Sequence, residues 1–134
     1  MTGAGPSPRP PSAALREFWR ERRLCMLTTR RPDGTPHLVP VGVTVSDDFS
    51  RAWVISRRNS VKVRNVRTGD QHVAVSQVDG GRWSTLEGLA TVLEDAESVR
   101  GAEDRYAVRY RRQPAPNPQR VVVEIDLTRR LGMA

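Results

Sequence analysis

The chain has 134 residues, a net charge of +7 and 37% hydrophobic residues. This length predicts one domain, and no apolar stretch approaches the ~18 residues that a membrane-spanning helix requires. The charge predicts acidic partners, such as nucleic acid, an anionic membrane or an anionic small molecule. Of the 22 basic residues, only Lys62 is a lysine.

The first twelve residues are rich in proline and glycine and lack the apolar segment of a signal peptide. We therefore expect a disordered lead over residues 1–12, a folded domain over residues 13–134, and a soluble cytoplasmic protein. Cys25 is the only cysteine, and its apolar neighbours predict a buried thiol without a disulfide.

The first half of the chain predicts two helices and three strands. Ser12 can cap a helix from Ala13 to about Arg22, and Ser60 can cap a second helix that ends near Gly69. The predicted strands are residues 24–29, 36–45 and 51–56, with turns at 32–34 and 46–48 between them.

The second half predicts three further strands and one helix. Residues 72–78 and 82–93 form a hairpin, a helix starts around Asp95 and Glu97, a proline-rich loop covers residues 113–119, and residues 120–127 form the last strand. Six strands in mainly hairpin succession predict a mainly β fold, a small closed antiparallel barrel. Side chains fill the interior of such a barrel, so a binding site is expected on its outer wall or between two copies.

Basic residues surround the predicted start of the second helix. Arg57 and Arg58 end a strand, and Ser60 and Lys62 begin the helix. Backbone N–H groups, a helix dipole and fixed cations then meet in one place, which suits an anion such as a phosphate. The alternative is a solvated basic turn.

Gln77 and Trp83 flank the predicted turn at residues 79–81. A bifunctional amide beside a flat aromatic side chain would suit a planar heteroaromatic ring, with hydrogen bonds at its edge and packing on its face. The alternative is a plain hairpin in which Trp83 fills the core.

The sequence contains no Gly-rich phosphate loop, no metal-ligand spacing and no nucleophile motif. His37 and His72 lie on separate predicted strands and are interpreted as packed or surface residues. We therefore assign no catalytic residue and no metal, and any redox chemistry would come from a cofactor. The arginines are spread along the whole chain and no nucleic-acid motif is visible, so nucleic acid is not the expected partner.

The order of several motifs resembles the pyridoxamine 5′-phosphate oxidase-like split-barrel superfamily. These motifs are residues 24–29, 32–37, 40–41 and 60–65. Residues 76–83, 86–88 and 116–122 are similar to its actinobacterial deazaflavin (coenzyme F420) dependent branch, and most of all to the F420-dependent biliverdin reductase type. The likeness spans about residues 15–132.

The resemblance implies a homodimer of six-stranded split β-barrels with two cofactor sites at the interface. In it, Lys62, Ser60 and Arg57 would hold the cofactor phosphate, and Arg120 would add a further cation. The other cofactor-binding residues that it implies are Ile55 and Ser56 along the ribityl chain, and His37, Pro40, Val41, Gln77, Val78 and Asp79 around the ring.

The resemblance also implies hydride transfer from reduced F420 to a conjugated acceptor such as biliverdin, with a proton from solvent or an arginine-bound water. The high positive charge suits the anionic tail of F420 and the propionates of biliverdin. Three alternatives stay open: an FMN- or heme-binding split barrel, an F420 carrier without catalysis, and a non-enzymatic module for an anionic partner.

Overall fold

The structure, a computed structural model, describes residues 9–134. Residues 1–8 of the predicted disordered lead lie outside the described residues. The end of that lead packs on the domain, because Pro11 is buried and Arg130 Nη2 donates a hydrogen bond of 2.6 Å to the carbonyl of Arg9.

Seven antiparallel strands form one curled sheet. They are β1 (Cys25–Arg30), β2 (Pro36–Val41), β3 (Thr44–Val45), β4 (Arg51–Arg57), β5 (His72–Asp79), β6 (Arg82–Leu93) and β7 (Arg120–Met133). Their order in the sheet is β2-β1-β5-β6-β7-β4-β3. The mainly β, split-barrel prediction is confirmed, although the predicted number of six strands is corrected to seven.

Three helices connect the strands, and each starts at the predicted cap. They are α1 (Ala13–Arg20), α2 (Val61–Thr68) and α3 (Ala96–Tyr110). The capping side chains of Ser12, Ser60 and Asp95 each accept a hydrogen bond from a backbone N–H three residues ahead. Such bonds satisfy donors that have no acceptor within the helix, which is why these polar residues define the helix starts.

The predicted strand over residues 36–45 is interrupted at Gly42 and Val43, and α3 is the cause. Tyr110 Oη accepts a 2.9 Å hydrogen bond from the Val43 N–H, and Arg109 Nη1 donates a 2.6 Å bond to the Val43 carbonyl. The backbone groups that would continue the strand ladder are thereby taken. β2 pairs with β1 and β3 pairs with β4, so the two-residue break joins the two edges of the sheet.

The core lies on the concave side of the sheet. Alternate residues of the strands point inwards, and Leu27, Val54, Val75, Leu86 and Val123 are fully buried. Phe18 and Trp19 of α1 close the core, together with Val63 and Val66 of α2. The two small helices are thereby fixed on the barrel by their apolar faces.

β7 continues beyond its predicted end at Leu127 as far as Met133. Its last residues pair with Trp83–Glu87 in the first half of β6, after a register shift at Glu87/Gly88. No helix in residues 9–134 is both long and apolar enough to cross a membrane.

Candidate functional site

The amino end of α2 directly follows β4. Ser60 Oγ accepts a hydrogen bond of 3.4 Å from the Val63 N–H and shares one of 2.9 Å with Ser56 Oγ. The first N–H groups of a helix have no acceptor within it, and the helix dipole places partial positive charge there. The α2 terminus therefore offers fixed donors at the end of the strand that carries Arg57.

Arg57 and Lys62 add two cations to these donors. Lys62 is half-buried, and its burial together with the nearby charge of Arg57 lowers the pKa of its ammonium group. Within residues 9–134, neither side chain lies within ion-pair distance of a carboxylate, and residues 1–8 contain no acidic residue. We call Arg57, Ser60, Lys62 and the first turn of α2 the cationic corner.

Other cations nearby are already neutralised. Arg58 Nε lies 2.9 Å from Glu94 Oε1, and the second oxygen of the same carboxylate pairs with Arg67. Arg120, a predicted phosphate ligand, lies opposite Arg57 in the sheet but its guanidinium is 2.7 Å from Glu103. The structure thus brings Arg120 to the cationic corner with a carboxylate attached.

His37 of β2 faces the same region. Its Nδ1 atom is buried without a hydrogen-bond partner in the described part of the chain. Burial, and then the charges of Arg31 and Lys62, lower the pKa of its imidazole, so the ring is neutral at physiological pH. The sequence interpretation missed Arg31, whose Nη1 donates a hydrogen bond to the Pro36 carbonyl and whose only sequence signal is its place beside the turn at residues 32–34.

α2 is held against β1 at the position opposite His37. Asn65 Nδ2 donates a 3.0 Å hydrogen bond to Thr29 Oγ1, and Thr29 is the cross-strand partner of His37. Lys62 and His37 are therefore brought together by packing. An anionic group linked to a flat polar ring fits this arrangement, because unneutralised cations and an unpartnered ring nitrogen both need a ligand.

The remaining predicted ligands are divided between two faces and two ends of the barrel. Neighbouring residues of a strand point to opposite faces, so Val41 is buried while Pro40 is exposed, and Ile55 and Ser56 face opposite ways. Val78 and Asp79 lie about 17 Å along β5 from Ala74, the cross-strand partner of Thr28 near His37. Within one chain, the structure does not bring Val78 and Asp79 to the cationic corner.

Gln77 belongs to a buried cluster around Arg109. Its Oε1 accepts a 2.6 Å hydrogen bond from Arg109 Nη2, and its Nε2 donates a 2.8 Å bond to the Phe18 carbonyl. The predicted platform of Gln77 and Trp83 is wrong, since Trp83 lies opposite Val78 and so on the other face of the sheet. Cys25 also lies in this cluster, as a buried thiol whose pKa is raised by its burial.

Comparison with known proteins follows this geometry. A model of the family described as pyridoxamine 5′-phosphate oxidase matches residues 11–133. The chain belongs to the pyridoxamine 5′-phosphate oxidase family. A member of known activity, the F420H2-dependent biliverdin reductase of Mycobacterium tuberculosis (strain CDC 1551 / Oshkosh), is 50% identical over 117 residues, which are 87% of this chain and 84% of that protein.

Solved structures support the family fold. The conserved hypothetical protein Rv2991 from Mycobacterium tuberculosis has a TM-score of 0.76 and 24% identity, covering 95% of this chain and 88% of that one. A protein described as F420 reductase has a TM-score of 0.70 and 22% identity, covering 90% of this chain and 98% of that one. At these identities, the likeness to the two structures supports the fold alone.

Proposed function

We propose that this protein binds coenzyme F420 and reduces biliverdin, or a related conjugated tetrapyrrole, at the expense of the reduced cofactor. The observation that carries the proposal is the pair of unneutralised cations, Arg57 and Lys62, at the amino end of α2. The 50% identity to an F420H2-dependent biliverdin reductase supports this choice of cofactor and acceptor.

Arg57 and Lys62 would hold the cofactor's phosphate. A phosphate would regain for Lys62 part of the electrostatic stabilisation that burial and Arg57 remove. The N–H groups of α2 would add directed hydrogen bonds, and Ser60 would keep the helix start in place through Ser56 and Val63. Arg120 would contribute to the electrostatic field while Glu103 keeps its side chain oriented.

His37 would lie at the edge of the cofactor ring. Because its imidazole is neutral, one nitrogen can accept and the other can donate a hydrogen bond to a ring amide. When bound, the deazaflavin supplies a hydride. The protein's own contribution is to fix the anionic arm at the cationic corner and so orient the ring against the acceptor.

A fluorescence titration with F420 tests the cofactor assignment. We expect Lys62→Met to weaken binding by roughly 1.5–3 kcal/mol, or about 10- to 150-fold, because a charge-assisted phosphate contact is lost. Arg64→Met is the matched control, since it removes one positive charge from an exposed position of the same helix. Equal losses in the two variants would mean that only general charge attraction holds the cofactor.

FMN also carries a phosphate and a flat ring, and the cationic corner alone does not distinguish it from F420. A competition titration does. Tight FMN binding in the absence of measurable F420 binding would overturn the proposed cofactor in favour of an FMN-dependent split barrel.

We further propose that two copies form a homodimer through the convex face of the sheet. This face exposes large apolar side chains, namely Met26, Leu38, Val78, Trp83, Leu131 and Met133. Exposed apolar surface of this extent is typical of an interaction site. A second copy could also bring its Gln77–Asp79 end to the cationic corner that one chain leaves without it. The cytoplasmic location stays a prediction.

A further inference from the structure

The largest cleft of the described residues lies next to the cationic corner and is not part of it. It has a volume of about 630 Å³, which falls within the usual range for a small-molecule site. Thr29 and Pro36 line its near end, and they are the cross-strand partner and the chain neighbour of His37. A molecule in this cleft would therefore lie beside a cofactor bound at His37.

His72 lines the same cleft and is held by a carboxylate. Its Nδ1 atom lies 2.7 Å from Asp70 Oδ1, and the same oxygen accepts a 2.9 Å hydrogen bond from the His72 backbone N–H. Asp70 is in turn 3.6 Å from Arg30 Nη1. Hydrogen bonds from His72 and the charges of His72 and Arg30 lower the pKa of Asp70, so this group is a carboxylate at neutral pH.

This arrangement leaves Nε2 of His72 free to act on a ligand. A carboxylate on one ring nitrogen fixes the orientation of the imidazole and stabilises its protonated form. The side chain is 77% exposed, so solvent can restore the proton after each transfer. The sequence interpretation overlooked this pair, although the spacing Asp70-Gln71-His72 at a strand start is visible in the sequence.

We propose that this cleft binds the conjugated acceptor and that His72 is the catalytic residue that donates its proton. The inference rests on the proposed function, because the electrons come from a reduced deazaflavin. The hydride forms a C–H bond on the acceptor, and the Nε2–H bond of the imidazolium breaks to give the acceptor's second hydrogen. The acceptor gains two electrons and one proton with the hydride and one more proton, while the deazaflavin is oxidised and solvent reprotonates His72.

The lining of the cleft suits a flat acceptor with polar edges. Val73, Ala74 and Leu89 provide apolar contact, and Thr28 and Thr128 provide hydroxyl groups. Besides Asp70, the charged groups around His72 are Arg30 from β1, Glu87 from β6 and Arg129 from β7. Arg129 lies 3.8 Å from Glu87, and both Arg30 and Arg129 are mostly exposed, so acceptor carboxylates can reach them.

Two measurements test the proposal. In the first, biliverdin is titrated into cofactor-free protein and followed by absorbance. Leu89→Arg places a bulky charge at an exposed position of the cleft, and we expect it to weaken biliverdin binding at least about tenfold while F420 affinity stays unchanged. Biliverdin affinity equal to that of the wild type would overturn the cleft as acceptor site. Since no cofactor is present, this result is independent of the redox reaction.

The second measurement is the pH dependence of biliverdin reduction. In the wild type the rate should fall as pH rises and the imidazolium is lost. His72→Gln should lower the rate on the order of 10²-fold and abolish that pH-dependent fall, with F420 affinity unchanged. Asp70→Asn should lower the rate less, and its matched control Asp47→Asn, which also removes an arginine-paired exposed carboxylate, should not.

The results separate the two proposals. A wild-type protein that reduces biliverdin, with the same pH profile in His72→Gln, overturns the role of His72 and leaves the proposed function standing. A wild-type protein that binds F420 and biliverdin without reducing it overturns the proposed function, and the role of His72 with it, while the cleft is judged by the Leu89→Arg titration.

Discussion

His37 and Lys62 are less favourable in the folded chain than in water. Each is a titratable group whose positive form is disfavoured by burial and by a neighbouring cation. A buried polar atom without a partner, such as His37 Nδ1, also costs free energy. Unfavourable groups of this kind cluster where a ligand is bound, because the ligand supplies the missing partner.

The lowered pKa of His37 predicts a pH-dependent loss of stability. The unfolded chain binds this proton more readily than the folded one, so the free energy of unfolding should decrease as pH falls below the ordinary histidine value of 6.5. His37→Gln should remove part of that decrease. Urea unfolding at about pH 7.5 and about pH 5 measures it.

His72→Gln provides the control for this measurement, because it removes the other histidine, which is exposed. A wild-type stability that rises on acidification, or equal effects of the two substitutions, would contradict the assigned environment of His37.

At the scale of the elements, the contact between α3 and the barrel depends on Gly42. A Cβ atom at this position would lie 2.8 Å from Tyr106 Cε2 and 3.1 Å from Tyr110 Cε2. Tyr110 also supplies the hydroxyl that binds the Val43 N–H, where the predicted strand is broken. The close approach of backbone and rings is therefore what places α3 against β3 and β4.

Gly42→Ala should destabilise the protein by about 1–3 kcal/mol, since the two tyrosine rings must move and α3 with them. Gly81→Ala is the matched control, because a Cβ there meets no heavy atom within 4 Å. Urea unfolding of the two variants checks the difference. Equal stabilities would show that α3 adapts to the added methyl group without cost.

Local signals predicted most elements but not their long-range interruptions. The caps at Ser12, Ser60 and Asp95 are local, so all three helix starts were predicted correctly. The break at Gly42 and Val43 depends on hydrogen bonds to residues more than 60 positions later, which no local pattern contains. The final residues of β7 form a strand because β6 is long enough to pair with them.

The candidate site was predictable to a similar degree. A strand ending in arginines before a serine-capped helix correctly indicated that cations and helix donors meet at residues 57–62. The sequence could not show that Glu103 pairs with Arg120, or that Gln77 turns into the Arg109 cluster, because both depend on tertiary packing.

At the scale of the whole molecule, the exposed apolar face predicts self-association. Light scattering should give the mass of a dimer for the wild type, and Leu38→Arg should shift it towards the monomer, because Leu38 is 59% exposed on that face. Val108→Arg, at an exposed position of α3 away from the sheet, is the matched control and should remain dimeric. A monomeric wild type would contradict the proposed dimer.

The measurement that tests the central claim most directly mixes the protein, reduced F420 and biliverdin and follows absorbance. We expect bilirubin to form with reduced F420, not to form with reduced FMN, and to form much more slowly with Lys62→Met at limiting cofactor. The account would be contradicted if no bilirubin formed at saturating F420, or if Lys62→Met were as active as the wild type when cofactor is limiting.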